Sequence, residues 1–96
     1  MKQVLVAPEA EADLDEISDF ISLDNPERAE SFVGEIMKRF SIISERPQSF
    51  PARPDLMQDM RSALHAKYII LFVEYESHIR IIRVLHGARD FDEVFS

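Results

Sequence analysis

The sequence predicts an α+β domain in which an antiparallel pair of helices packs on one face of a small, mostly antiparallel sheet. Three observations support this. Apolar residues recur at helical spacing through residues 9–45. Runs rich in β-branched and aromatic residues occupy 68–85. A proline-rich segment at 46–59 separates the two halves. With a strand at the N-terminus, the order β-α-α-β-β-β lets every apolar face pack against another.

The N-terminal half contains one strand and two helices. Gln3–Val6 is a short β-branched run that Pro8 ends. From Glu9 to Leu23 the apolar residues form one stripe, and the opposite face is acidic and solvated. Asp24-Asn25-Pro26 supplies a cap and a first helical position for a second helix, which runs to about Glu45. Because this connection is short, we expect the two helices to be antiparallel neighbours.

The C-terminal half contains three strands. Residues 46–59 hold three prolines and are expected to form neither helix nor central strand. Met60–His65 and Tyr68–Tyr75 are predicted strands joined at Ala66-Lys67, and the second is apolar enough to be covered on both faces. The remaining segments are a turn at Glu76-Ser77, a strand at Ile79–Leu85, a polar exit at 86–90 and an amphipathic tail at Phe91–Phe95.

Two arginines interrupt the last strand. Strict alternation places one arginine on each face, the two sets being Ile79, Ile81, Arg83 and Arg80, Ile82, Val84. Desolvating an unpaired charge costs several kcal/mol or more. At least one of these arginines should therefore line a site or a sheet edge instead of the core.

Composition narrows the function classes. Ninety-six residues predict a single domain, residues 1–96, and the absence of cysteine excludes disulfides, thiolate metal sites and a cysteine nucleophile. The net charge of −7 arises in the first thirty residues, which argues against non-specific nucleic-acid binding. No apolar run reaches the length of a signal peptide or a membrane span, so we expect a cytoplasmic protein. The histidines lack metal-ligand spacing, and we expect neither metal nor cofactor.

Three motifs occur in the order known from a protein family: Ala12–Ile17, Asp24–Pro26 and Arg83–Asp90, with Arg61 ahead of the apolar strand. In these the chain resembles the ParE/RelE toxins of bacterial type II toxin–antitoxin modules, over nearly its whole length. The resemblance implies the same α+β fold, a small cognate antitoxin, and growth arrest when the toxin is free. Any contact with DNA would be indirect, through the antitoxin.

The family divides by chemistry. The RNA-cleaving branch commonly has basic residues where this chain has Ser62, Leu64 and Ile69, and a tyrosine where it has Phe95. Arg89 does match an arginine that this branch retains. The resemblance therefore favours the ParE branch, which acts by binding DNA gyrase, needs no catalytic residues, and is neutralised by a ParD-like antitoxin. A ribosome-dependent mRNA endonuclease and a non-toxic antitoxin-binding subunit remain the alternatives.

The resemblance and the residue chemistry also predict which residues bind the target and which bind the antitoxin. The predicted target-binding residues are Arg61, Arg83, His86 and Arg89. The alternative for Arg83 and Arg89 is an ion pair with Asp90 or another acid. For His86 the alternatives are a hydrogen-bonded turn residue or, in a nuclease, a catalytic pair with Arg89. The acidic face of the first helix is most simply solvated, and the alternative is that it meets basic residues of the antitoxin or repels nucleic acid. The predicted antitoxin-binding residues are apolar positions outside the cleanest stripes or on loops and the tail: Phe20, Met37, Phe50, Leu56, Met57, Phe91 and Phe95. For Phe20 and Met37 the alternative is the core.

Overall fold

A computed structural model describes residues 1–95. Its elements, in chain order, are β1 (Gln3–Val6), α1 (Pro8–Ser22), α2 (Pro26–Glu45), β2 (Met60–His65), β3 (Tyr68–Glu74), β4 (His78–His86) and α3 (Phe91–Phe95). The predicted order is confirmed, with boundaries that differ by at most one residue for each predicted helix and strand. The amphipathic tail forms a short helix, α3.

The sheet has four strands in the order β1-β4-β3-β2. The first strand pairs with the last in parallel, and the other two pairs are antiparallel. The predicted mostly antiparallel sheet is therefore confirmed. Because β4 is central, its side chains can reach the helices on one face and the C-terminal segment on the other.

The main core lies between the sheet and the two helices. Ile17 of α1 and Ile36 of α2 pack against Ile70, Phe72 and Ile81 of the central strands. The second helix begins where the sequence predicts, since Asn25 Oδ1 accepts a hydrogen bond of 3.0 Å from the Arg28 amide. Burial of this apolar surface holds the helical pair on the sheet.

A smaller core lies on the opposite face of the sheet. Its buried members are Met60, Leu71, Val73 and Leu85. Leu56 from the proline-rich segment and Phe91 and Phe95 from α3 pack against it. This second cluster explains why β3 is apolar on both faces, as the sequence predicts.

The last strand departs from strict alternation. The register pairs Leu71 with Arg83 but Phe72 with Ile81, so Ile82 is an extra residue that forms a β-bulge. As a result Val84 joins the helix-side core with Ile81, and the predicted face for Val84 is wrong. Single-strand periodicity cannot foresee a bulge, because the extra residue is defined only against the partner strand.

The proline-rich segment is more ordered than the sequence predicts. Pro47–Ser49 forms one turn of 3-10 helix, so the expectation of no helix there is wrong for these three residues. Proline fits the first position of such a turn because its fixed φ is helical and its missing N–H is not needed there. Further on, Ala52 bridges Arg61, and this contact holds the segment beside the β2 edge.

Candidate functional site

An open groove lies where the end of α1, the start of α2, the β2–β3 turn and the end of β4 meet. Its volume is about 480 Å³. Its apolar lining is Phe20, Ile21, Phe32 and Tyr68, and its polar lining is Arg28, Lys67, His86 and Arg89. We call it the Phe20–Arg89 groove. Each charged side chain in this lining is a cation, although the chain as a whole carries −7.

Arg89 and Phe20 form the rim of the groove. The Arg89 guanidinium lies over the Phe20 ring, 4.7 Å from its centroid, and Nη2 donates to the Tyr68 hydroxyl at 3.4 Å. A cation over an aromatic face at an exposed site contributes about 0.5–1 kcal/mol. Phe20 remains 56% exposed in this arrangement, so about half of its surface is available for contact with a partner.

His86 shapes the turn that carries Arg89. Its Nδ1 accepts hydrogen bonds of 3.2 Å from the amides of Ala88 and Arg89. Its own amide donates to Asp90 Oδ2 at 3.1 Å, and its ring meets Tyr68 edge-on at 5.3 Å. These bonds place the proton of the neutral ring on Nε2. The geometry is that of the hydrogen-bonded turn residue, and it leaves only Nε2 for contact with a ligand.

Arg83 is committed to the fold. Its guanidinium donates two hydrogen bonds to Asp13 of α1, from Nε at 2.7 Å and from Nη2 at 2.8 Å. Asp13 also accepts a bond of 2.9 Å from the Val84 amide. The Asp13 carboxylate raises the pKa of Arg83 above its usual range, mainly through these hydrogen bonds. Arg83 therefore forms the ion pair that is its structural alternative, and the acid is Asp13 instead of Asp90.

Arg61 lies away from the groove. It pairs with Phe72 in the sheet, whereas the groove lies at the Tyr68–His86 end of the strands. Its Nη1 donates to the Phe50 carbonyl at 2.7 Å. Of the four predicted target-binding residues, the fold therefore brings together His86 and Arg89 and separates Arg61 from them.

The seven predicted antitoxin-binding residues lie on different surfaces. Phe20 is exposed at the groove, and Met37 and Met57 are exposed elsewhere. Phe50 packs partly buried against the helix-side core, while Leu56, Phe91 and Phe95 cover the core on the opposite face. The core alternative for Phe20 and Met37 does not hold, since both side chains are about half exposed.

An acidic hollow of about 290 Å³ borders the groove on the other side of Phe20 and Arg89. Its acidic lining is Asp13, Glu16, Asp19 and Asp90. Arg89 therefore stands between an acidic and a cationic surface. Among residues 1–95, neither Arg89 nor Lys67 takes part in an ion pair.

Three residues of this region carry roles that the sequence did not reveal. The acidic run of α1 predicts a solvated position for Asp13, which in the fold is only 6% exposed. Its spacing from Ala10 and Ile17, three and four residues away, places it in the apolar stripe, which was a usable signal. Lys67 and Tyr68 carried no such signal, because their role depends on which elements the β2–β3 turn meets.

Two features are absent from the described part of the chain. No helix there is both long enough and apolar enough to cross a membrane. In residues 1–95, no three or more His, Cys, Asp or Glu side chains are grouped to hold a metal ion. The chemistry that the groove itself offers is recognition of apolar and anionic groups by aromatic rings and cations.

The fold of the chain is similar to that of a solved structure. It matches a chain described as "Chromosomal ParDE TA system from P. aeruginosa" with a TM-score of 0.75 and 24% identity. The match covers 90% of this chain and 96% of that one. At this identity the likeness establishes the fold.

The sequence itself establishes the family. Residues 4–91 match the family described as the ParE toxin of type II toxin–antitoxin system, parDE. The chain therefore belongs to the ParE toxin family, and the predicted resemblance is confirmed. A comparison with curated proteins found no match.

Proposed function

We propose that this ParE-family toxin inhibits DNA gyrase by binding it, and that a ParD-like antitoxin neutralises it. The observation that supports a binding mode of action is the make-up of the Phe20–Arg89 groove. It presents the half-exposed Phe20 and two cations, Lys67 and Arg89, that have no ion-pair partner among the described residues. Such aromatic and arginine side chains are the usual anchors of protein interfaces. Since gyrase is an intracellular enzyme, this proposal has the toxin act in the cytoplasm.

The groove is a poor match for RNA cleavage. That reaction needs a base for the 2′-hydroxyl, a cation for the developing charge and an acid for the leaving oxygen. Arg89 can supply the charge, but His86 Nδ1 already accepts two backbone bonds. Ile69 and Phe95 stand where the RNA-cleaving branch carries functional side chains. Inhibition by binding requires neither a catalytic base nor a catalytic acid.

One observation nevertheless favours the endonuclease as a second candidate. Tyr68, His86 and Arg89 line the same groove, and the Tyr68 hydroxyl lies 3.4 Å from the arginine. A tyrosine and a histidine can transfer protons, and an arginine can stabilise the negative charge of a phosphate. The nuclease therefore has to be distinguished from the gyrase inhibitor by experiment.

Induction of the chain alone in bacterial cells tests the proposal. A reporter of DNA damage, cell length and a translation reporter are followed in the same culture, and the purified toxin is added to gyrase with relaxed plasmid. Gyrase inhibition predicts the DNA-damage response and filamentation with translation intact, together with loss of supercoiling in vitro. Rapid translation arrest with cleaved mRNA would replace the proposal with the endonuclease.

Two controls make the experiment specific. Arg89→Ala should reduce toxicity, whereas Lys38→Ala, which removes an exposed cation from the middle of α2, should not. Normal growth with soluble wild-type protein would contradict the proposal and leave the antitoxin-binding subunit as the function.

A further inference from the structure

We infer that the Phe20–Arg89 groove is the docking site for a segment of the antitoxin. This segment is acidic and carries apolar anchor residues, and Lys67 and Arg89 hold it. This inference rests on the proposed function in one respect, namely that the toxin has a protein partner. It goes further by naming the surface, the chemistry of the bound segment and the two cations that hold it.

The first support is the charge of the groove. Its charged lining residues are Arg28, Lys67 and Arg89. Arg28 is already paired with Glu35 at 2.5 Å, which raises the pKa of Arg28. Within residues 1–95, Lys67 and Arg89 lack such a partner. Two cations are therefore available for carboxylates of a bound segment.

The second support is the apolar lining. The half-exposed Phe20 ring faces the groove, and Ile21, Phe32 and Tyr68 also line it. A volume of about 480 Å³ suits a few inserted side chains and falls in the usual range of ligand pockets. A purely polar anion would leave these apolar groups exposed to water, whereas an acidic segment with aliphatic anchors would cover them.

The third support is the contrast with the rest of the surface. The chain carries −7, and nine acids fall within residues 1–30. An acidic segment is repelled by this acidic stretch and attracted by the cations of the groove, so charge favours docking at the groove. A nucleic acid meets the same repulsion along its whole backbone and needs many phosphate contacts for affinity.

A consequence follows for regulation. His86 and Arg89 were predicted to contact the target, and both line this groove. A segment docked there would cover them. The partner would then neutralise the toxin by occupying the target-binding surface itself, and partner and target would compete.

Fluorescence anisotropy with defined probes tests the inference. The probe is a fluorescein-labelled dodecapeptide of leucine and glutamate, and the matched control peptide has lysine in place of each glutamate. We expect saturable binding of the acidic peptide alone, weakened by salt. Lys67→Glu and Arg89→Ala should each weaken it by about tenfold or more. Lys38→Glu makes the same charge reversal as Lys67→Glu on the exposed face of α2 and should leave binding within about twofold of wild type.

Each contrary result overturns the inference. The inference is contradicted if the acidic peptide does not bind or if the basic peptide binds equally well. It is also contradicted if Lys38→Glu weakens binding as much as Lys67→Glu does. Tighter binding of a labelled oligouridylate with the same dependence on Lys67 and Arg89 would assign the groove to nucleic acid. Circular dichroism of each variant confirms that it is folded. Gyrase inhibition by the wild-type protein is measured separately, so either idea can fail while the other stands.

Discussion

Arg83 of β4 is bound to Asp13 of α1 by two parallel hydrogen bonds of 2.7 and 2.8 Å. The carboxylate also accepts a hydrogen bond of 2.9 Å from the Val84 amide, two residues after the bulge at Ile82. The same acid thus joins the first helix to the last strand and satisfies a buried backbone donor. Residues seventy positions apart are connected, and the turn carrying His86 and Arg89 follows directly.

Removal of this link should destabilise the domain. We expect Asp13→Ala to lower the free energy of unfolding by roughly 2–3 kcal/mol, since it leaves a partly buried guanidinium and a buried amide without their acceptor. Urea unfolding measures the change. Glu16→Ala, on the exposed side of the same helix, is the control and should shift stability by no more than about 0.5 kcal/mol. If Asp13→Ala behaves like Glu16→Ala, the link is not structural.

The turn between β2 and β3 contains a strained residue. Ala66 has φ of 53°, in the left-handed region that disfavours side chains with a Cβ. We expect Ala66→Gly to stabilise the domain by roughly 0.5–1 kcal/mol, which corresponds to a rise of a few degrees in Tm. Ala88 is also exposed but does not have a positive φ, so Ala88→Gly should not stabilise the domain. Thermal unfolding that ranks the two variants the other way would contradict the assigned strain.

Phe20 and Phe91 should separate binding from stability. Phe20 is 56% exposed at the groove, whereas Phe91 packs on the core formed by Met60, Leu71, Val73 and Leu85. Phe91→Ala should cost roughly 1–2 kcal/mol of stability, and Phe20→Ala no more than about 0.5 kcal/mol. The acidic-peptide affinity should show the opposite order. Equal effects of the two substitutions in both assays would mean that the groove does not bind the peptide through Phe20 and that Phe91 does not stabilise the smaller core.

Glu35 should make stability depend on pH in the acidic range. Hydrogen bonds from Arg28 and then from His65, at 3.0 Å, hold the pKa of Glu35 below its ordinary 4.5. At pH values between the folded and unfolded pKa, the unfolded chain binds more protons at this site, so stability falls as pH is lowered through that interval. Glu35→Gln should therefore flatten the decline of Tm below pH 4.5.

The matched control for Glu35→Gln is Glu30→Gln, which removes an exposed carboxylate from the same helix. Thermal unfolding is followed from neutral pH to the acidic limit of solubility. An unchanged acidic slope for Glu35→Gln, or the same change in both variants, would show that the contacts with Arg28 and His65 do not shift the proton equilibrium in solution.

Local sequence patterns determined most of the fold. The helical spacing of Ile17, Ile36 and their neighbours sets which faces are apolar, and Asn25 and Pro26 set where α2 begins. The β-branched run of β3 required cover on both faces. These are properties of neighbouring residues, and they reach the α+β class without knowledge of distant contacts.

Tertiary structure decided the rest, because the deciding contacts join residues far apart in the chain. The bulge at Ile82 exists only relative to β3, and it moved Val84 to the helix side. Burial of Asp13 depends on Arg83, and the cationic groove depends on Lys67 and Arg89 being brought to one place by the β2–β3 turn and the end of β4. The sequence by itself determined the helices and strands, most of their apolar faces and the family. Only the folded chain decided which charges are paired and which remain available to a partner, because the free energy of a charge depends on its neighbours in space.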